Sequence, residues 1–168
     1  MAHDGQYDLM IETPVMKDIL ALTQQAVKPL ETLNTKAINN LRELVTLDNK
    51  VSSSLIETHQ SAAHGVAWLA TYTESIRQMV KWGDKVSEQN KFGQTEQLLL
   101  QIAVSEYLGQ ILGGIMMSQG EIFRLNDIGL TTLDLSEFQT QAVKDLIQNG
   151  NNQHARALLV DIMLDQSA

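Results

Sequence analysis

The sequence predicts an all-α protein, an antiparallel helical bundle of about five to six helices. Apolar residues recur at spacings of three and four along most of the chain, as they do on the buried face of an amphipathic helix. Only two prolines occur in 168 residues, and no stretch alternates apolar and polar residues as a half-buried strand does. We therefore expect a single all-helical domain over residues 13–168, preceded by a flexible N-terminus at residues 1–12.

The first helix is predicted to begin at Thr13-Pro14, where a capping hydroxyl precedes a proline at the first helical position. Pro29 lies inside its apolar stripe, and we expect a kink or a break there because proline lacks the amide hydrogen of the helical bond. Asn34-Thr35 offers a cap for a restarted second half, and Leu47-Asp48-Asn49 is the predicted turn that follows. The stripe consists of Val15, Ile19, Leu22, Ala26, Leu30, Leu33, Ala37, Leu41 and Leu44.

The second long helix is predicted near Lys50–Lys81 and carries two stripes on roughly opposite sides. A stripe of aromatic residues is commonly core, but Trp and Tyr are also enriched where a helix docks on another domain or subunit. Both interpretations stay open. The aliphatic stripe is Val51, Leu55, Ala62, Val66, Leu69, Ile76 and Val80, and the other is His64, Trp68, Tyr72, Met79 and Trp82. The polar segment Asp84–Phe92 follows, as a loop or a small helix.

The central helix is predicted at Thr95–Leu112, with Thr95 as its cap. Its apolar residues point in nearly every direction, which is typical of a helix enclosed by others. Gln101, Glu106 and Gln110 interrupt the apolar run and argue against a membrane span. The apolar positions are Leu98, Leu99, Leu100, Ile102, Val104, Leu108, Ile111 and Leu112.

The segment after Gly113-Gly114 is predicted to start a new helix, because Ser118 and Glu121 have the spacing of a capping box. Asn126–Thr132 is the predicted connector to the C-terminal part. That part is predicted to be a helical hairpin, with its turn and new cap at residues 149–152. Its apolar positions are Leu135, Phe138, Val143, Leu146 and Ile147 on one helix and Ala155, Leu158, Leu159 and Ile162 on the other.

Composition limits the classes of function. Twelve Lys and Arg stand against 20 Asp and Glu, and the formal charge of −8 disfavours nucleic acid and anionic membranes as partners. The chain has no cysteine, which excludes disulfides, thiol nucleophiles and thiolate metal sites. Its beginning lacks the basic region and apolar run of a secretory signal, so we expect a cytoplasmic protein.

No catalytic, cofactor-binding or metal-binding site is recognisable from the residues. His59 and His64 are five residues apart, a poor spacing for one metal on a helix, and no phosphate-binding glycine motif or nucleophile elbow occurs. His59 falls within the aliphatic stripe, which favours a structural role. Glu106 and Gln110 lie one turn apart on the central helix. A carboxylate there is either paired inside the protein or faces a partner, and both interpretations stay open.

Three long, ungapped blocks carry a family resemblance: AHGVAWLATYTESIRQM (Ala63–Met79), FGQTEQLLLQIAVSEYLGQILGG (Phe92–Gly114) and MSQGEIFRLNDIGL (Met117–Leu130). They resemble the N-terminal helical extension of the methylsuccinyl-CoA dehydrogenases, which belong to the acyl-CoA dehydrogenase family. The resemblance covers roughly residues 61–130. One departure is Met116, which stands where the family's Gly-Gly-Ile-x-Met-Ser-Gln turn has a proline.

The resemblance implies an accessory or capping domain that shapes or shields the acyl pocket of a flavin-dependent dehydrogenase. In the family, the FAD and the catalytic base belong to the dehydrogenase core, which is therefore the implied partner, in cis or in trans. No catalytic residue of the family falls on this chain, so we expect no FAD bound to it. A homo-oligomer is also compatible.

Two alternatives remain on the residues alone. One is a free-standing helical interaction or adaptor protein of the granule- or surface-coating type. The other is a helical enzyme with a carboxylate metal site, for which the chain offers no Glu-x-x-His spacing. Whether the chain is an enzyme by itself therefore stays undecided at this stage.

A possible interface is formed by Trp68, Tyr72, Glu106, Tyr107, Gln110, Met117, Gln119 and Arg124. The first five lie on the second and central helices, and the last three lie at the corner after the two glycines. Such a corner would present one apolar, one amide and one cationic group, and Arg124 would suit a carboxylate or a phosphate. The competing interpretation is a corner that merely packs and is solvated.

Overall fold

The computed structural model describes residues 14–166, which form seven α-helices and two short β-hairpins. The helices are α1 Ile19–Val45, α2 Ser53–Thr58, α3 Gln60–Glu88, α4 Gln94–Gly113, α5 Thr132–Phe138, α6 Gln141–Asp145 and α7 Gln153–Asp165. Strands β1 Thr46–Leu47 and β2 Lys50–Val51 pair antiparallel, as do β3 Ile115–Ser118 and β4 Glu121–Phe123. A 3-10 turn spans Leu125–Ile128, and a π-helical turn spans Leu146–Gly150. The helical fold class is confirmed, although the helices are more numerous than expected and strands are present.

Helix α4 is the central helix, in contact with α1, α3, α7 and the π-helical turn. Its buried apolar residues are Leu98, Leu100, Val104, Leu108 and Ile111. Two expectations about α4 were wrong. It begins at Gln94 after Gly93 rather than at Thr95, and it is not enclosed on every side, because Leu99 is 42% exposed and Ile102 is half-buried.

Helix α1 runs unbroken through Pro29, so the expected break was wrong, while a kink at this position stays a prediction. Ala26, Leu30 and Leu33 are buried around the proline, and this packing outweighs one missing helical hydrogen bond. The proposed cap at Asn34-Thr35 lies in the helix interior, where the Thr35 hydroxyl donates to a carbonyl one turn earlier.

The beginning of α1 also differs from the expectation, because the helix starts at Ile19 rather than at Pro14. Thr13 and the N-terminus at residues 1–12 lie outside the described residues. At the other end of α1, Asp48 and Asn49 both adopt positive φ, 49° and 61°, as a type I′ turn requires. The predicted turn at residues 47–49 is thus confirmed, but it joins two strands rather than two helices.

Helix α3 begins and ends later than the predicted Lys50–Lys81. Strand β2 and the short helix α2 occupy residues 50–58, and α3 continues to Glu88, into the polar segment Asp84–Phe92 that was predicted as a loop or a small helix. Gly83 does not end the helix, because it is buried where α3 approaches α1 and α4. A Cβ there would lie 2.9 Å from a Leu20 methyl and 3.1 Å from a Leu100 methyl.

The helix predicted to start at Ser118 is absent, and residues 115–123 form the hairpin of β3 and β4. Ile115 and Phe123 pair across it and are buried, with exposed fractions of 0% and 3%. Gly65 of α3 makes room for the phenyl ring, since a Cβ there would lie 2.0 Å from a Phe123 ring carbon. This long-range contact explains why a local capping pattern did not decide the structure.

The C-terminal part is divided more finely than a helical hairpin, because Thr131 and Thr140 each cap a new short helix, α5 and α6. The predicted cap at Asn152 is confirmed, and its side chain accepts a hydrogen bond from the Ala155 amide at 2.9 Å. Within residues 14–166, no helix combines the length and the apolar character that crossing a membrane would require.

Candidate interaction surface

Four side chains form a continuous row along α3 and α4, and we call His64, Trp68, Tyr72 and Tyr107 the aromatic row. The first three are spaced four residues apart on α3, which places them on one side of the helix. Trp68 meets Tyr72 edge-on with ring centroids 6.0 Å apart, and Tyr107 of α4 stacks on Tyr72 at 4.5 Å. The two helices therefore contribute to one aromatic surface.

The exposure of the aromatic row rises from one end to the other. Tyr72 is 9% exposed, Trp68 and Tyr107 are half-buried, and the His64 side chain is 53% exposed. The row is thus core at Tyr72 and accessible surface at His64, so core packing holds at its inner end and docking at its exposed end stays a prediction.

The exposed end of the row is connected to the second hairpin. The Trp68 indole nitrogen donates to Nε2 of His64 at 3.0 Å. The other ring nitrogen of His64 lies 3.9 Å from a carboxylate oxygen of Glu121, and the Ser61 hydroxyl donates to the second Glu121 oxygen at 3.1 Å. A glutamate expected to cap a helix instead joins β4 to α3.

The inner end of the row continues into hydrogen-bonded polar side chains, and we call Gln110, Glu106, Asn151 and Arg156 the polar row. The Tyr72 hydroxyl donates to Oε1 of Gln110 at 2.7 Å, and the Gln110 amide donates to Oε1 of Glu106 at 2.7 Å. The other Glu106 oxygen accepts from the Asn151 amide and lies 3.8 Å from the Arg156 guanidinium. Nε of Arg156 also donates to Asn151 at 2.6 Å. These bonds tie α3, α4 and α7 together.

The surroundings of Tyr72 keep its hydroxyl a neutral donor. Burial raises the pKa of Tyr72, and the neighbouring Tyr107 and Glu106 raise it further. Both oxygens of Glu106 already have partners inside the chain, although its side chain is 45% exposed. Glu106 is therefore paired inside the protein, and its contact with a partner through the exposed part of the side chain stays a prediction.

Met117, Gln119 and Arg124 lie on or beside the second hairpin, apart from the other five interface candidates. Met117 packs partly buried against the core, whereas Gln119 and Arg124 are exposed. Within residues 14–166, the Arg124 side chain has no ion-pair partner; its backbone amide donates to Asp127 at 2.7 Å. None of the described hydrogen bonds or ring contacts of the aromatic row reaches these three side chains.

An exposed apolar pair adjoins Arg124 on the hairpin. Met116 and Ile122 are partners across the two strands and are 66% and 42% exposed. Met116 is also the position that departs from the proline of the family turn. This pair could not be predicted from helical spacing, because only the alternation of a strand, with Ile115 and Phe123 facing inward, turns its side chains outward.

Gln101 is a buried polar residue of α4 for which the sequence predicted no structural role. Its side chain is fully buried, and its amide oxygen accepts from the Met16 amide at 2.8 Å. Its amide nitrogen donates to the carbonyls of Pro14 and Gly150, both at 2.9 Å. A signal was present, since Gln101 and Ser105 stand in the same stripe as Leu98 and Leu108.

His59 lies half-buried at the junction of α2 and α3, where its backbone amide donates to the Leu55 carbonyl at 2.9 Å. Within residues 14–166, its side chain has no hydrogen-bond or ion-pair partner, and a structural role stays the prediction. Among residues 14–166, no group of three or more His, Asp or Glu side chains is placed to hold a metal ion.

Comparison with known proteins confirms the resemblance. Over 156 residues, 93% of its length, the chain is 47% identical to (2S)-methylsuccinyl-CoA dehydrogenase from Cereibacter sphaeroides. The match spans only 28% of that dehydrogenase, so the chain is similar to a part of it. No protein-family model matches the chain.

Proposed function

We propose that this chain is a helical accessory domain of a flavin-dependent acyl-CoA dehydrogenase of the methylsuccinyl-CoA type. The observation that supports this most directly is 47% identity across nearly the whole chain to a segment of a much longer dehydrogenase. In this proposal the rest of that enzyme corresponds to the partner core. The chain contributes surface and shape, and the core contributes the redox chemistry.

In this proposal FAD belongs to the partner core, because the described residues, 14–166, do not form a site that fits it. A groove of about 590 Å³ runs along α7, but its one cation, Arg156, is already bound to Asn151. The hairpins are two-stranded and antiparallel, unlike the parallel sheets whose crevices commonly hold dinucleotides. Bound to the core, FAD would supply the hydride acceptor, and the proposal gives residues 14–166 no part in that transfer.

The surface that we propose for docking is the second hairpin. Met116 and Ile122 provide an exposed apolar pair, and Arg124 beside them provides a cation without an internal ion-pair partner among the described residues. Such a combination suits an interface with an apolar centre and a carboxylate or phosphate at its rim. Docked near the acyl entrance, it would exclude water and orient the substrate while leaving the chemistry to the core.

A chimera tests this function. The matching segment of the Cereibacter sphaeroides enzyme is replaced by this chain, and flavin content, turnover and KM are compared with those of the parent enzyme and of a variant lacking the segment. We expect the chimera to retain flavin and activity and the deletion to lower turnover or raise KM. Full activity of the deletion variant would contradict an accessory role.

Substitutions in the chimera test the docking surface. Arg124→Ala and Gln119→Ala are expected to raise KM or lower turnover without changing the melting temperature. The matched control is Arg42→Ala, which removes an exposed arginine from α1, away from the hairpin. Unchanged kinetics in both hairpin variants would leave the hairpin as a structural element only.

The adaptor interpretation remains as a second candidate because of the first hairpin. Leu47 and Val51 are 62% and 65% exposed there, and each offers an apolar contact to a partner. An adaptor would bind partners without a dehydrogenase core. Loss of activity in the deletion variant, restored by this chain, would decide against it.

A further inference from the structure

The hydrogen bond between Trp68 and His64 fixes which ring nitrogen of the histidine carries a proton. An indole N–H only donates, so Nε2 of His64 must accept and must therefore be unprotonated. A neutral imidazole then carries its proton on Nδ1, which is the nitrogen that faces Glu121. The arrangement is thus specific for the neutral ring.

A second proton on His64 is incompatible with that bond. In the imidazolium form both ring nitrogens are donors, so the Nε2 hydrogen would confront the indole N–H of Trp68. At the same time, the positive ring would gain attraction to the Glu121 carboxylate, 3.9 Å from Nδ1. Protonation of His64 therefore breaks its hydrogen bond with Trp68 and strengthens its attraction to Glu121.

We infer that His64 is a proton-controlled latch that holds the Trp68 indole when neutral and releases it when protonated. Release frees an N–H donor on a half-buried aromatic side chain that touches Tyr72, so it changes the surface that the aromatic row presents. The inference rests on the His64, Trp68 and Glu121 cluster alone and does not depend on the proposed function.

Few charged groups face the latch. Glu121 from β4 is the carboxylate within 4 Å of the ring, and on α3 the neutral Ser61 hydroxyl binds the same carboxylate. From α4, Tyr107 and Glu106 act on Tyr72, one ring further along the row. The His64 side chain is 53% exposed, so protons reach it from solvent without any opening of the fold.

The indole N–H signals in NMR spectra recorded from pH 8 to pH 5 test the latch. The chain has two tryptophans, and Trp82 has no hydrogen-bond acceptor among the described residues, so it is an internal reference. We expect the Trp68 signal to lose its hydrogen-bonded downfield shift in a transition between about pH 8 and pH 5, where imidazole changes charge. The Trp82 signal should stay constant.

Two variants separate the latch from other pH effects. In His64→Gln the amide oxygen still accepts from the indole but does not titrate, so the Trp68 shift should persist at pH 5. Glu121→Gln removes the charged partner of the protonated ring but keeps the Trp68 acceptor, so at pH 8 the Trp68 shift should match that of the parent. A Trp68 signal that is constant while the His64 ring signals titrate would overturn the inference, as would an unchanged transition in His64→Gln.

Discussion

At the scale of single residues, Gln101 shows how one buried amide can organise a helical protein. It binds the backbone at three points, at Pro14, Met16 and Gly150. Gly150 must approach closely for this, since a Cβ there would lie 1.8 Å from the Ser105 hydroxyl. A buried amide with every partner in place stabilises one arrangement of the chain and makes a shifted one costly.

Replacing Gln101 by leucine tests this role. Gln101→Leu keeps a similar volume but leaves the Met16 amide and the Gly150 carbonyl without their partner, and we expect a loss of roughly 1–3 kcal/mol in the free energy of unfolding. The control is Gln94→Leu at the exposed start of α4, expected to change stability by less than about 0.5 kcal/mol. Urea unfolding of both variants measures the difference, and equal effects would contradict the assignment.

At the scale of elements, ion pairs join helix α5 to helix α1. Nζ of Lys36 lies 2.6 Å from Asp134 and 2.7 Å from Glu137. Asp134 also accepts from the hydroxyl and the amide of Thr131, the cap of its own helix. The Lys36 ammonium and then the Thr131 donors hold the pKa of the Asp134 carboxyl far below its ordinary value. Asp134 and then Glu137 raise the pKa of Lys36 in turn.

The lowered pKa of Asp134 predicts how its contribution depends on pH. A carboxyl whose pKa is lower in the folded state stabilises above its unfolded pKa, and the effect is lost as the pH falls through the folded pKa. Asp134→Asn should therefore unfold at a lower urea concentration than the parent at pH 7. The difference between the two urea midpoints should become smaller below about pH 4. Asp161→Asn, an exposed carboxylate on α7, is the control. A gap that is the same at pH 7 and at pH 3 would count against the charge pairing.

The elements also show which parts of this fold were accessible from the sequence. The central position of α4 followed from its dense apolar content, because the spacing of apolar residues within a long helix predicts which of its faces are buried. The second hairpin did not follow, since Phe123 enters a space left by Gly65, 58 positions away in the printed sequence. The unbroken α1 was not predicted for a similar reason. The residues around Pro29 are buried by contacts with other helices, and these contacts cannot be read from the residues next to the proline.

The candidate site, too, could be predicted from the sequence only in part. The four-residue spacing of His64, Trp68 and Tyr72 on one helix placed them on one side in advance. The stacking of Tyr107 on Tyr72 and the bonds to Asn151 depend on how α4 and α7 approach α3, which spacing within a helix cannot give.

At the scale of the whole molecule, the packed core extends from α1 through α3 and α4 to Phe138, Val143 and Leu146 near the C-terminal side. Leu108, with 0% exposed, belongs to this core, whereas Ile102 on the same helix is half-buried. Leu108→Ala should cost about 2–5 kcal/mol through lost burial and a cavity. Ile102→Ala should cost clearly less, because its site is partly solvated. Thermal or urea unfolding ranks the two, and the reverse order would mean that α4 is rotated.

The three backbone partners of Gln101 also determine where a pulling force would act. Pro14 and Met16 precede the first helix, and they are held by an amide 87 and 85 positions away, at the centre of the bundle. Tension applied at Pro14 would therefore act on α4, and through the same amide on the π-helical turn at Gly150, before it separates α1 from the bundle. A force applied at Pro14 would thus act first on the central helix α4.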